Sequence, residues 1–196
     1  MFIELTEYLR CPAGHEDSYL VLATGAMAGR AIRYGTLGCP VCHAEYLVVK
    51  QVGKFGKPPE RPVPDGPLPS PEDVQAVLGL ESPGGYVALV GSAATLADGL
   101  ARLMNVVHFV CVNVPAGVEP AKTRTLVEST ATIPLRDGIV RGVVLGAEYT
   151  DKEWMAEAAR VVLNGQRVVC LQETAPEIPG LELLAAGKGM WAGKKK

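Results

Sequence analysis

The second half of the chain alternates short, unbroken apolar runs with segments of helical periodicity. That alternation leaves few architectures open. YVALVG (86–91) and VVHFVCV (106–112) are too short for buried helices and carry no polar alternation, as expected of strands buried on both faces. Thr125 to Glu128, Ile139 to Leu145 and Arg167 to Leu171 repeat the pattern. Between the runs, Leu96, Leu100 and Leu103 fall at helical spacing. Thr150-Asp151-Lys152-Glu153 reads as a capping box, opening a helix through Trp154, Met155, Ala158, Val161 and Val162 that ends before Gly165. Ser70-Pro71-Glu72-Asp73 opens another helix, running to about Leu80, with a Ser cap and Pro at the first helical position. Strands alternating with helices predict an α/β fold, a parallel sheet with helices on both faces. LELLAAGKGMWAG (181–193) predicts a hairpin closing one sheet edge.

Upstream the character changes. GKFGKPPERPVPDGPLPSP (53–71) holds seven of the chain's fifteen prolines, which excludes helix and central strand and predicts a stiff, extended connector. Three parts are expected: a module over 1–51, a proline-rich linker over 52–69 and the α/β domain over 70–196. In the first, Leu5 to Leu9 reads as a helical turn, and Tyr19 to Ala23, Ala31 to Leu37 and Glu45 to Val49 as strands. About fifty residues bury too little apolar surface for comfortable stability, a gap that a structural metal would close.

The same module carries ligands for one. Cys11 and His15 form C-x3-H; after 23 residues, Cys39 and Cys42 form C-x2-C. Two short-spaced pairs of thiolate and imidazole donors suit tetrahedral zinc, and four protein ligands leave no position open for chemistry. His43 competes with His15 for the fourth place. Cys111 and Cys170 lie inside apolar runs and read as small core hydrophobes, and His108 as a core histidine.

Composition narrows the function classes. The net charge is -2, and residues 1–60 carry six basic and six acidic side chains, so nothing draws the chain generally to nucleic acid or anionic membranes. No apolar stretch reaches the roughly 18 residues of a membrane span. The start MFIELTEYLRC lacks a signal peptide's basic region and apolar run, so a cytoplasmic location is the expectation, with free or metal-bound cysteines.

The segment LTEYLRCP…LGCPVCHAEYLVV resembles the small zinc-binding activator family of methyltransferases over roughly residues 3–50. Cys11-Pro12, Cys39-Pro40-Val41-Cys42 and Tyr46 carry the likeness; Gly14-His15 departs from it. Residues 71–194 resemble a class I, S-adenosylmethionine-dependent methyltransferase domain, best over ATIPLRDGIVRGVVLGAEYTDKEWMAEAARVVLNGQRVVCLQE. The resemblance implies a reduced Rossmann-like, methyltransferase-type sheet beside a small β-rich zinc module. It implies a cofactor site after the first strand, lined by Gly91, Ser92 and Asn113. Leu89 stands at the family's acidic position, Ala93 and Thr95 replace its later glycines, and Asn113 replaces the acid that holds the ribose. No catalytic signature follows the fourth strand; GAEYT stands there instead, with Glu148 and Tyr149 expected to be exposed.

Two functions compete. One is a non-catalytic zinc-bearing platform, a pseudoenzyme, for a protein partner, a second copy of the chain, or a ribosomal or tRNA partner. The other is an active methyltransferase with its zinc module in cis, in which Glu148 or Tyr149 orients the methyl acceptor.

Overall fold

The computed structural model describes residues 1–15, 18–63 and 65–196. Among the described residues, the strands join one eleven-stranded sheet in the order β1-β2-β3-β4-β7-β6-β5-β8-β9-β11-β10. The N-terminal part contributes a 3-10 turn, Ile3–Tyr8, and an antiparallel meander: β1 (Val21–Ala28), β2 (Ala31–Gly38), β3 (Glu45–Val49) and β4 (Val52–Phe55). β4 occupies the first four residues of the stretch expected to be linker. It hydrogen-bonds in parallel to β7 (Arg124–Ser129), with Val52 opposite Leu126, and Lys54 pairs with Glu128 across the join. VGKF has no proline and can complete a ladder, whereas the prolines begin only at Pro58.

The rest is the α/β class read from the sequence. β5 (Tyr86–Val90), β6 (His108–Val112), β7, β8 (Val140–Leu145) and β9 (Val162–Cys170) run parallel. The hairpin β10 (Leu181–Gly187) and β11 (Met190–Lys195) adds two antiparallel strands at the edge. The order turns at β5 and β8: chain order runs outward through β6 and β7 on one side and through β9 on the other, which is the Rossmann-like switch point. α1 (Pro71–Leu78) and α2 (Ala97–Leu103) pack on one face through Val74, Leu78, Leu100 and Phe109. α3 (Lys152–Val161) covers the other through Trp154, Met155 and Ala158. No helix intervenes between β7 and β8.

Local chemistry sets the helix ends. Ser70 Oγ accepts the Asp73 N–H at 3.1 Å, and Gly79 stops α1 with φ +60°. Gly99 lets α2 approach α1: a side-chain carbon there would run into the Pro71 ring. Two boundaries differ from expectation. The cap of α3 is Asp151, whose carboxylate accepts from Glu153 and Trp154, while the Thr150 hydroxyl bonds back to Ala147 O at 2.8 Å. Val162 already belongs to β9, because β-branched Val162 pairs with Val140 while Gly165, at φ +78°, bends the strand into register. Among the described residues, no helix is long and apolar enough to cross a membrane.

Candidate functional site

Two places gather chemistry. The first is in the N-terminal module. The chain from Cys11 to Ser18 is closed by the Cys11 N–H to Ser18 carbonyl bond and the Arg10–Tyr19 bridge; Glu16 and Asp17 lie outside the described residues. The second knuckle follows β2: Cys39 N–H donates to Ala44 O, His43 N–H donates to Cys39 O, and His43 takes φ +58°. These turns bring Cys11, His15, Cys39 and Cys42 together, with all four ligand atoms within 4.8 Å of one another. His43 is not part of that group.

The separations have a meaning. Zinc–sulfur bonds of about 2.3 Å in a tetrahedron put neighbouring sulfurs about 3.8 Å apart, and sulfur and imidazole nitrogen slightly closer. Here Cys11 and Cys42 sulfurs are 3.7 Å apart, and the Cys39 sulfur is 3.4 Å from His15 Nε2. These two separations match tetrahedral edges, and the remaining donor pairs lie within 4.8 Å. Around them, Tyr46 Oη lies 3.2 Å from the Cys11 sulfur and Ser18 Oγ 3.8 Å from that of Cys39. Such outer groups orient metal ligands. Burial pushes the Cys39 thiol up, but the Cys42 and Val41 N–H groups aimed at its sulfur outweigh burial and bring it down to about 6. Three of the four donors are at least partly buried and the set is closed, which suits a structural ion and leaves no open coordination position.

The second place is the switch point at the carboxyl ends of β5 and β8, where open α/β sheets bind ligands. β5 ends in buried Leu89 and Val90, and Gly91 follows with φ +63°. Gly91 and Ser92 begin a 3-10 turn, Gly91–Leu96, that leads into α2. The Ser92 N–H and hydroxyl face Glu148, just beyond β8. Glu148 Oε1 accepts the Ser92 N–H at 2.5 Å, and Oε2 accepts the Ser92 hydroxyl at 2.9 Å. A side-chain carbon on Gly91 would collide with both Glu148 and Tyr149. The carboxylate thus sits where an incoming anion would be held. Glu148 is half-buried and Tyr149 is buried, correcting the expectation that both are exposed. Tyr149 meets Trp154 edge-on at 4.7 Å and lies beneath the Arg61 guanidinium at 4.9 Å.

Asn113 lies at the end of β6, next to the crevice, but its side chain turns toward β7. Its Nδ2 donates to Ser129 O at 2.9 Å and its Oδ1 accepts the Ser129 N–H at 2.8 Å. The proline-rich segment crosses above. Arg61 donates to Glu148 O at 2.8 Å and pairs with Asp151. Val63, Pro67 and Leu68 enclose, with Ser92, Ala147 and Leu171, a cavity of about 150 Å³. Ligand pockets begin near roughly 300 Å³. Gly91 and Ser92, read from the sequence as cofactor contacts, lie at the switch point; sequence reasoning did not foresee Glu148 as the partner of Ser92 or the strap over them. The one available signal was an acid in GAEYT with no catalytic signature around it.

Cys111 and Cys170 are fully buried, and burial pushes both thiols up to about 12, so neither is a reactive group at neutral pH.

No family model matches the chain, and neither does any curated protein. Solved structures do resemble it. One is a chain from the complex between the Haloferax volcanii Trm112 methyltransferase activator and a methyltransferase, at 15% identity and a TM-score of 0.41. The match covers 51% of this chain and 50% of that one, so this chain spans half the length of that relative. A SAM-dependent methyltransferase from Aquifex aeolicus matches at 16% identity and 0.46, over 64% of this chain and 88% of its own. The antibiotic-resistance methyltransferase Kmr matches at 13% and 0.44, over 64% and 92%. Likeness at this level says nothing about substrate or activity.

Proposed function

We propose that this chain is a zinc-bearing, methyltransferase-like protein that acts as a non-catalytic platform for a protein partner. The observation that carries the reading is the bidentate contact of Glu148 with the Ser92 N–H and hydroxyl at the switch point. A fold that binds a cofactor there needs those groups free. Here an internal carboxylate occupies them, Leu89 offers no charge to pair a cofactor's ammonium, and the Asn113 amide is engaged by Ser129. Zinc, held by Cys11, His15, Cys39 and Cys42, would fix the two knuckles that support β1–β4 and do no chemistry.

The parallel pairing of β4 with β7 favours an activator-like module working in cis, an arrangement that an active methyltransferase would also use. One experiment separates the two readings. Zinc-loaded protein is titrated calorimetrically with S-adenosylmethionine and with S-adenosylhomocysteine. The platform reading expects flat traces. Saturable binding in the micromolar range would overturn it, and would make Gly91 and Ser92 cofactor contacts of an enzyme.

A further inference from the structure

A second cavity, of about 350 Å³, opens on the seam between the N-terminal module and the α/β sheet, away from both sites above. Met1, Phe2 and the β1–β2 turn from Ala28 to Ala31 form one wall; Lys122 and Arg124, at the start of β7, form the other. Its size falls within the range of small-molecule pockets, and seams between structural units are where such pockets concentrate.

The wall chemistry is specific. The Phe2 ring stacks on His108 at 4.6 Å, and the Arg30 guanidinium lies over Phe2 at 5.2 Å. Met1, Phe2, Ala28 and Ala31 give the cavity an apolar lining. Its rim carries Arg30, Lys122 and Arg124. Arg124 is fixed by Asp98 at 2.8 Å and by the Glu119 carbonyl at 2.6 Å. Arg30 pairs with Glu4; its side chain is 71% exposed against 31% for Glu4, so the guanidinium can turn to a ligand from the solvent side. Lys122 has no partner among the described residues. Counting Glu4 and Asp98 against the three cations, the rim keeps one unbalanced positive charge beside apolar surface.

We propose that this cavity binds a small amphipathic anion: a single carboxylate or phosphate group carried on an apolar body. The head group takes Lys122 and an Arg30 released from Glu4, and the body lies against Phe2 and Ala28. One unbalanced charge is too little for a nucleic-acid backbone, which needs several cations to displace its counterions. A ligand seated here touches both halves of the chain at once, so its binding stabilises the whole sheet.

Metal-loaded protein is titrated calorimetrically with three probes: naphthalene-2-carboxylate, adenosine monophosphate and inorganic phosphate. At least one organic anion binds saturably, and which one distinguishes a carboxylic acid from a nucleotide as the source. Inorganic phosphate, lacking the apolar body, binds about a hundredfold more weakly or not at all. Lys122→Glu weakens organic-anion binding by about tenfold or more. Ala121→Trp, which fills the cavity from an exposed position and keeps the charge, removes it. The proposal fails if neither organic anion binds below roughly 1 mM. It also fails if phosphate binds as well as they do, or if binding survives both substitutions in variants that keep the wild-type circular dichroism.

Discussion

Replacing Glu148 by Ala removes both bonds to Ser92 and leaves a buried N–H without a partner, since Ser92 is only 3% exposed. Hydrogen bonds to charged groups contribute about 1.5–3 kcal/mol each, and an orphaned buried donor costs about 1–3 kcal/mol. These terms overlap, because the orphaned donor is one of the lost bonds. Freeing a Glu side chain also returns up to about 2 kcal/mol of rotamer entropy. The net expectation is about 2–3 kcal/mol of destabilisation. In a chain of this size that lowers Tm by roughly 4–12 °C. Glu148→Gln keeps an acceptor for the Ser92 N–H and loses about 1 kcal/mol or less. Ser92→Ala loses only the hydroxyl bond to the carboxylate, about 1.5 kcal/mol at the low end of that range. In the double variant the Ser92 change adds almost nothing, giving a coupling of about 1.5 kcal/mol. Arg61 bonds the Glu148 main chain, so its anchorage is untouched by all three changes. The assay is thermal and urea unfolding of all four variants at neutral pH. A Glu148→Ala protein melting within 1–2 °C of wild type would refute the reasoning. It would mean that water satisfies Ser92 and that the crevice is open.

Two further predictions concern the Cys/His quartet and His108. Stripping metal from the Cys11, His15, Cys39 and Cys42 quartet should release β1–β3 while β5, β6 and β8 hold, because structural zinc contributes on the order of 10 kcal/mol to small modules. Hydrogen exchange on zinc-loaded and chelated protein reads this directly; unchanged protection in β1–β3 after verified metal loss would count against a structural ion. Burial holds His108 down to about 4, beside Thr125 Oγ1 at 2.9 Å, against about 6.5 in an unfolded chain. A folded value below the unfolded one gives stability that is complete above about pH 6.5 and is lost as pH falls toward 4. His108→Phe should flatten urea-midpoint profiles over that window, and parallel profiles for the two proteins would exclude the assignment.

Much of the α/β sheet was legible because its strands are buried on both faces. YVALV needs no partner to be recognised, and Ser70-Pro71 announces a helix without tertiary help. β4 was hidden for the opposite reason. VGKF is four residues of mixed character, and only its ladder with β7 makes it a strand. Its neighbouring prolines pulled the reading toward linker. The cap of α3 was misplaced by one residue because Thr150 and Asp151 are both good caps, and the choice depends on where Ala147 O lies. Spacing named Cys11, His15, Cys39 and Cys42 with His43 as competitor; the turn geometry around Cys39 gathers His15, and not His43, with the three sulfurs. Glu148 was seen but misassigned. An acid after a strand reads as solvent-facing until a fold brings an N–H from 56 residues away against it.

The β4–β7 ladder has a consequence for exchange. A strand tethered to its own partner strand through residues 56 to 123 meets it at an effective concentration in the millimolar range or above, which a separate module must outcompete. The edge of β7 is therefore already taken, and no separate strand can reach it without first breaking an intramolecular ladder.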